Sequence, residues 1–234
     1  MSDGYAEHRA AGVPGVAWTA RATPGPSWIL PDGGMDLIWD GATVVVAGAD
    51  SVAQRGHVAV PTRLVGLRFD PGVAPSVVGV PADVLTDQRV TLDLLAGRNV
   101  HDRWCERLAA ARAPTAELIE LAADRLIGTD DPPPRWLGAV VGGLRRGETV
   151  TDVADRVGYT TRHLNRLAGE RFGYGPKTLS RVLRFQRALP ALRAGADATM
   201  VAARVGYADA AHLYRDVRRL SGGSVAALRQ PSSA

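Results

Sequence analysis

The chain reads as an α+β protein: a small β-rich N-terminal domain with a helical linker, followed by an all-α domain built from two helix-turn-helix units. Three observations predict this. Residues 24–90 set short β-branched runs between turn residues, and residues 90–128 change to helical spacing. The stretches "RVGYTTRHLNRLAGERFG" at 156–173 and "RVGYADAAHLYRDVRRLSG" at 204–222 write one pattern twice.

In the first part, "PGP" at 24–26, "PDGG" at 31–34, "DG" at 40–41, "DPG" at 70–72 and "VP" at 80–81 mark turns. Between them lie Val44–Val46, Val58–Val60, Leu64–Phe69 and Val77–Val80. Short strands of this kind predict a sandwich or a barrel. From Val90 the spacing of Leu94, Leu95, Trp104 and Leu108 is helical, with a break at Gly97. Over 115–128, Leu118, Leu121, Ala122 and Leu126 share a helix face that Gly128 can end. "TDDPPP" at 129–134 cannot continue a helix. The boundary is therefore expected there, with one domain over 1–128, its helices from about 90, and another over 135–234.

Beyond the prolines, Trp136–Arg146 reads as a helix. Thr149 then precedes Val150, Val153, Ala154 and Val157, an amphipathic stripe behind a threonine cap, with Asp152 in its first turn. Asp197 stands in the same relation to Ala198, Val201, Ala202 and Val205, and Gly158 and Gly206 close the two stripes; the offset is 48 residues. A short helix, a glycine turn and a second helix form the arrangement in which the first helix props the second into a major groove. The two units span about 149–173 and 197–222. In the first, the second helix is expected from Thr161, capped by Thr160, with Leu164 and Leu167 inward and Arg162, His163, Asn165 and Arg166 outward. In the second, Leu213, Val217 and Leu220 face inward. Ala211, His212, Tyr214 and Arg215 are left to meet bases or backbone, and Arg218 and Arg219 to meet phosphate. Arginine bonds guanine in bidentate fashion, asparagine bonds adenine, and both hold phosphate. Taken alone, a histidine such as His212 more often packs or caps than reads a base. Residues 176–195 join the units as a longer helix that Pro190 is expected to kink or shorten.

Charge is segregated to match. Residues 135–230 hold 17 Arg and Lys against 7 Asp and Glu, whereas the rest of the chain holds 11 against 17, so a net charge of +4 conceals a basic C-terminal part suited to a polyanion. Cys105 is the only cysteine, which leaves no intramolecular disulfide and no cysteine zinc site. His8, His57 and His101 are scattered, so neither a metal nor another cofactor is expected. No apolar run approaches the roughly 18–20 residues of a membrane span, and "MSDGYAEHRA" lacks the basic start and apolar run of a signal peptide. A cytoplasmic protein with no membrane partner is expected.

Residues 136–230 resemble the DNA-binding domain of AraC/XylS-type transcription regulators. The resemblance rests on "VADRVGYTTRHLNRL…FGYGP", on "VAARVGYADAAHLYRDVRRLSGGS" and on the connecting "LSRVLRFQRAL". It implies that one monomer sets two recognition helices into successive major grooves, roughly 34 Å apart, with Arg162, Asn165 and Arg166 in the first and Ala211, His212 and Arg215 in the second. Ala168 and Val217 stand where that family usually has phenylalanine, and Val225 where it usually has proline; the exposed faces are untouched by these departures.

"LPDGGMDLIWDG" at 30–41 and "VGLRFDPGVAPSVVGVPADVLTDQRV" at 65–90 resemble the reduced cupin-like N-terminal domain of a subset of these regulators. That resemblance implies an effector-sensing or dimerising module without naming an effector. Trp18, Trp28 and Trp39, with Arg55 and Arg68 nearby, are either core and edge residues or an apolar pocket with an arginine for a polar or anionic small molecule. The helices over 100–127 are an alternative surface for a homodimer. Two other functions are open to the same residues. A DNA-repair alkyl-transfer enzyme can carry this DNA-binding module, but it needs zinc-ligating cysteines or an activated thiol, and only Cys105 within "DRWCERL" is present. A nonspecific architectural binder would protect DNA without regard to sequence.

Overall fold

The computed structural model describes residues 4–22, 25–58 and 61–229. Among these, six strands form an antiparallel sheet in the order β1 (Ala6–Arg9), β2 (Gly15–Ala22), β7 (Thr62–Phe69), β4 (Asp36–Trp39), β5 (Val44–Ala47) and β8 (Arg89–Thr91). A separate ribbon pairs β3 (Gly25–Ile29) with β6 (Gln54–Val58). The register aligns Ala17, Leu67, Leu37 and Val46 in one row across four strands, and all four are buried. Because side chains alternate along a strand, that row defines the inner face. Helices α1 (Pro75–Val78), α2 (Leu92–Ala96), α3 (Arg98–Ala110) and α4 (Pro114–Ile127) close over it, and Trp104, Leu108, Leu118 and Leu121 join the same core.

Two expectations change here. Val77 and Val78 lie in a helix rather than a strand. Pro75 occupies the first helical turn, all four residues of α1 are buried, and Gly79 ends it. A run of four apolar residues carries no periodicity, so the proline decides. Val90 and Thr91 belong to edge strand β8, so helix begins at Leu92, and the break at Gly97 falls between α2 and α3. The tryptophans lie within strands: Trp18 in β2, Trp28 in β3 and Trp39 in β4. Of Val58–Val60, Ala59 and Val60 fall outside the described residues.

Residues 128–135 carry neither helix nor strand. After them come α5 (Trp136–Arg146), α6 (Val150–Arg156), α7 (Thr161–Phe172), α8 (Pro176–Arg193), α9 (Ala198–Val205), α10 (Ala210–Ser221) and α11 (Val225–Arg229). Two cores result, and α8 serves both. Leu179 and Leu183 enter the core of α5–α7, while Val182, Phe185, Ala188, Leu189 and Leu192 enter that of α9–α11. Pro190 does not shorten α8, which runs on to Arg193; it lies in the last turn, and its carbonyl accepts from Ala194 N at 3.0 Å.

The β-rich part is seated directly on this helical part. Gln186 Nε2 donates to Pro31 O at 2.6 Å, Thr86 Oγ1 to Gly173 O at 2.7 Å, and Ala53 N to Leu220 O at 2.7 Å. Gly173 meets two demands at once: its φ is +81°, and a Cβ there would lie 2.6 Å from Thr86 Oγ1. Arg171 of α7 reaches Ser76 Oγ at 3.0 Å and pairs with Asp131.

Candidate nucleic-acid interface

The two units are set by local capping chemistry. Thr149 Oγ1 accepts from Asp152 N at 3.1 Å while Asp152 Oδ2 accepts from Thr149 N at 3.3 Å, a reciprocal capping box at the start of α6. In the second unit, Asp197 Oδ1 accepts from Met200 N at 3.0 Å. Gly158 and Gly206 turn the chain at φ +73° and +87°, a left-handed conformation that costs other residues about 1–2 kcal/mol. Thr160 then caps α7 through His163 N (3.1 Å), and Asp209 caps α10 through His212 N (2.6 Å). The repeat offset is 48 residues up to Tyr159 and Tyr207 but 49 from Thr160 and Asp209 onward, because the second turn holds one more residue.

On α7 the inward set is Leu164, Ala168 and Phe172; Leu167 is only half-buried, one step off the four-residue row. Arg162, His163, Asn165 and Arg166 are exposed. Their partners differ. Asn165 Nδ2 donates to Thr161 O at 2.8 Å, Arg166 pairs with Glu170 at 2.6 Å, and His163 meets the Tyr159 ring edge-on at 4.7 Å. The Arg162 side chain makes no hydrogen bond or ion pair among the described residues.

On α10, Leu213, Val217 and Leu220 are buried, as the spacing predicts, and Ala211, Tyr214, Arg215, Arg218 and Arg219 are exposed. The three arginines have no acidic partner among the described residues. His212 is different. Its ring meets Tyr207 edge-on at 5.0 Å, its Nδ1 accepts from Ala208 N at 3.5 Å, and its Nε2 lies 3.8 Å from buried Asp216, which Arg181 of α8 approaches at 3.5 Å. It packs the base of the helix. A tyrosine–histidine pair stands at the entry of both α7 and α10, and "GYTTRH" and "GYADAAH" contain it. Arg184 of α8 is not marked by the sequence pattern: it donates to Gly206 O at 3.2 Å and lies 5.0 Å over the Tyr207 ring, tying the connecting helix to the second turn.

The five N-terminal candidates do not meet in one pocket. Trp18 and Arg68 share the outer face of the sheet, where Trp18 Nε1 donates to Asp36 Oδ1 at 2.7 Å and Arg68 pairs with Glu7 (3.1 Å) and Asp32 (3.4 Å). Burial, and then the charge of Asp32, pushes the Asp36 carboxyl up to about 7. Trp39 points to the opposite, inner face, with its Nε1 buried and unpaired. Trp28 and Arg55 stack on the separate ribbon at 5.6 Å, with Trp28 53% exposed. Only Arg68 lines the cleft of about 440 Å³ between the sheet and helices α5 and α8, together with Arg9, Asp32, Asp70, Arg145 and Arg187. Arg9 pairs with Asp70 at 3.2 Å, whereas Arg145 and Arg187 have no carboxylate partner among the described residues.

Residues 153–231 match a family described as a helix-turn-helix domain, and residues 15–91 match a domain family of unknown function. No curated protein matches the chain in sequence. Among solved structures, ToxT from Vibrio cholerae bound to (E)-4-(8-methylnaphthalen-1-yl)but-3-enoic acid is similar at 7% identity and a TM-score of 0.49, covering 90% of this chain and 96% of that one. A second ToxT structure from Vibrio cholerae aligns at 7% identity and a TM-score of 0.47, covering 97% and 98%. No helix of the described residues is long and apolar enough to cross a membrane. With two capped helix pairs joined by a shared helix, and with the family match over the same residues, the C-terminal part of the chain is an AraC-type helix-turn-helix domain, a DNA-binding module.

Proposed function

We propose that a single chain sets α7 and α10 into successive major grooves on one face of DNA. Arg162 and Arg166 would read or hold the first groove, and Arg215, Arg218 and Arg219 the second. The observation that carries this reading is the pair of outward faces: each recognition helix is capped at its start, buried on one side, and presents arginine on the other. Asn165 is the natural adenine reader once it leaves Thr161 O. The reading is non-enzymatic. Burial pushes the Cys105 thiol up, the reverse of what an alkyl-accepting thiolate requires. The expected footprint is one defined site of roughly 20 base pairs, two helical turns. Uniform protection of unrelated sequences would instead support an architectural binder and defeat this reading.

We also propose that the cleft beside Arg68 takes an anionic small molecule. Arg145 and Arg187 offer it cations not already neutralised by a carboxylate, and the cleft joins the sheet to α5 and α8. A ligand held there would bear on the helices that carry both units. In a thermal-shift screen, small carboxylates or phosphates should raise the melting temperature of the protein, and Arg145→Gln should abolish the rise. A rise that survives this substitution would put the ligand elsewhere.

A further inference from the structure

Between the two units a groove of about 500 Å³ crosses α8. One wall is the turn from α5 into α6, and the other is the C-terminal end of α9. Lys177, Ser180, Arg184 and Arg187 line its floor at spacings of three, four and three residues, so they form one face of α8. Arg146 and Arg204 stand on the walls. The one carboxylate lining the groove, Glu148, is already held by Arg146 at 3.0 Å and Arg156 at 2.5 Å. Arg184 and Arg187 are committed in part to backbone carbonyls. The Lys177 and Arg204 side chains are exposed and make no hydrogen bond or ion pair among the described residues. A concave surface with this excess of positive charge attracts a polyanion in preference to a neutral partner.

We propose that this groove is a third DNA contact, which holds the phosphodiester backbone where it passes between the two major grooves. The inference rests on the two-helix reading above. If α7 and α10 occupy grooves roughly 34 Å apart, the helix that joins them must lie near the intervening minor groove and its two phosphate edges. The cationic face of α8 spans ten residue steps from Lys177 to Arg187, a rise of about 15 Å, and phosphates on one strand recur every 3.4 Å or so along the axis. Lys177 and Arg204 therefore hold phosphate without reading sequence, adding affinity and fixing the register of the two recognition helices.

The test uses the full chain with two duplexes, one selected by the protein from a random library and one of shuffled sequence. In the Lys177→Gln/Arg204→Gln variant, the slope of log K against log salt should become shallower by about 1–2 on both duplexes. The affinity ratio between the duplexes should stay the same. Ethylation of phosphates at the centre of the selected site should weaken binding of the unsubstituted protein, a measurement that does not depend on how the variant folds. An unchanged slope together with no central interference would overturn the proposal while leaving the two-helix reading in place. A chain that binds both duplexes equally would overturn both.

Discussion

Replacing Arg162 and Arg215 together with alanine is expected to weaken binding to a selected DNA site by about 2–6 kcal/mol, since an arginine that reads a guanine contributes roughly 1–3 kcal/mol. Neither side chain is held by another group among the described residues. Arg166, which corresponds to Arg215 across the repeat, is paired with Glu170 at 2.6 Å, whereas the position four residues after Arg215 is Arg219. An exposed pair of that type is worth about 0.3–0.5 kcal/mol, so Arg166→Ala should have a slightly smaller effect than Arg215→Ala. Anisotropy titrations at fixed salt would measure all three variants. If the double variant bound every duplex as the parent does, the assignment of α7 and α10 to the grooves would fail.

A second large effect is expected far from DNA. Asp36→Asn should stabilise the protein above pH 7 and leave it nearly unchanged near pH 4. In the fold the Asp36 carboxyl keeps its proton up to about 7, against 3.8 ordinarily, so between those values the folded chain binds more protons than the unfolded one. Stability then falls as pH rises through that window. Asparagine removes the buried charge while keeping an oxygen for Trp18 Nε1, now at 2.7 Å from Asp36 Oδ1. The gain should be on the order of 2 kcal/mol after allowance for partial exposure. Urea midpoints measured across pH 4–8 would show the two curves diverging upward; parallel curves would mean that Asp36 is ionised throughout.

The helical part was legible in the sequence because its determinants are local. Thr149, Thr160 and Asp197 each cap the helix that begins one residue later, so adjacent letters carry the chemistry. The 49-residue offset is less legible, because R-V-G-Y itself repeats at 48 and the extra residue falls in the turn immediately after it, where no motif marks it. In the β-rich part the deciding facts are nonlocal. Trp18 and Trp39 lie on opposite faces because of strand register, which only pairing reveals. Val77 and Val78 were read as strand because hydrophobicity without a period does not distinguish a buried helical turn from a buried strand. His212, one of the residues expected to meet bases or backbone, lies against Tyr207, a contact made across the turn.

The sharing of α8 between two cores binds the two units into one body with unlike ends. A two-fold dimer reads a palindrome and looks the same from either side. This chain carries Arg162 and Asn165 at one end and Ala211 and Tyr214 at the other, with turns of different length leading to them. On the two-helix reading proposed above, its target would have a head and a tail. On the same reading, inverting the target within a promoter would keep the affinity but carry the N-terminal sheet to the other side, so orientation would become part of the regulatory message.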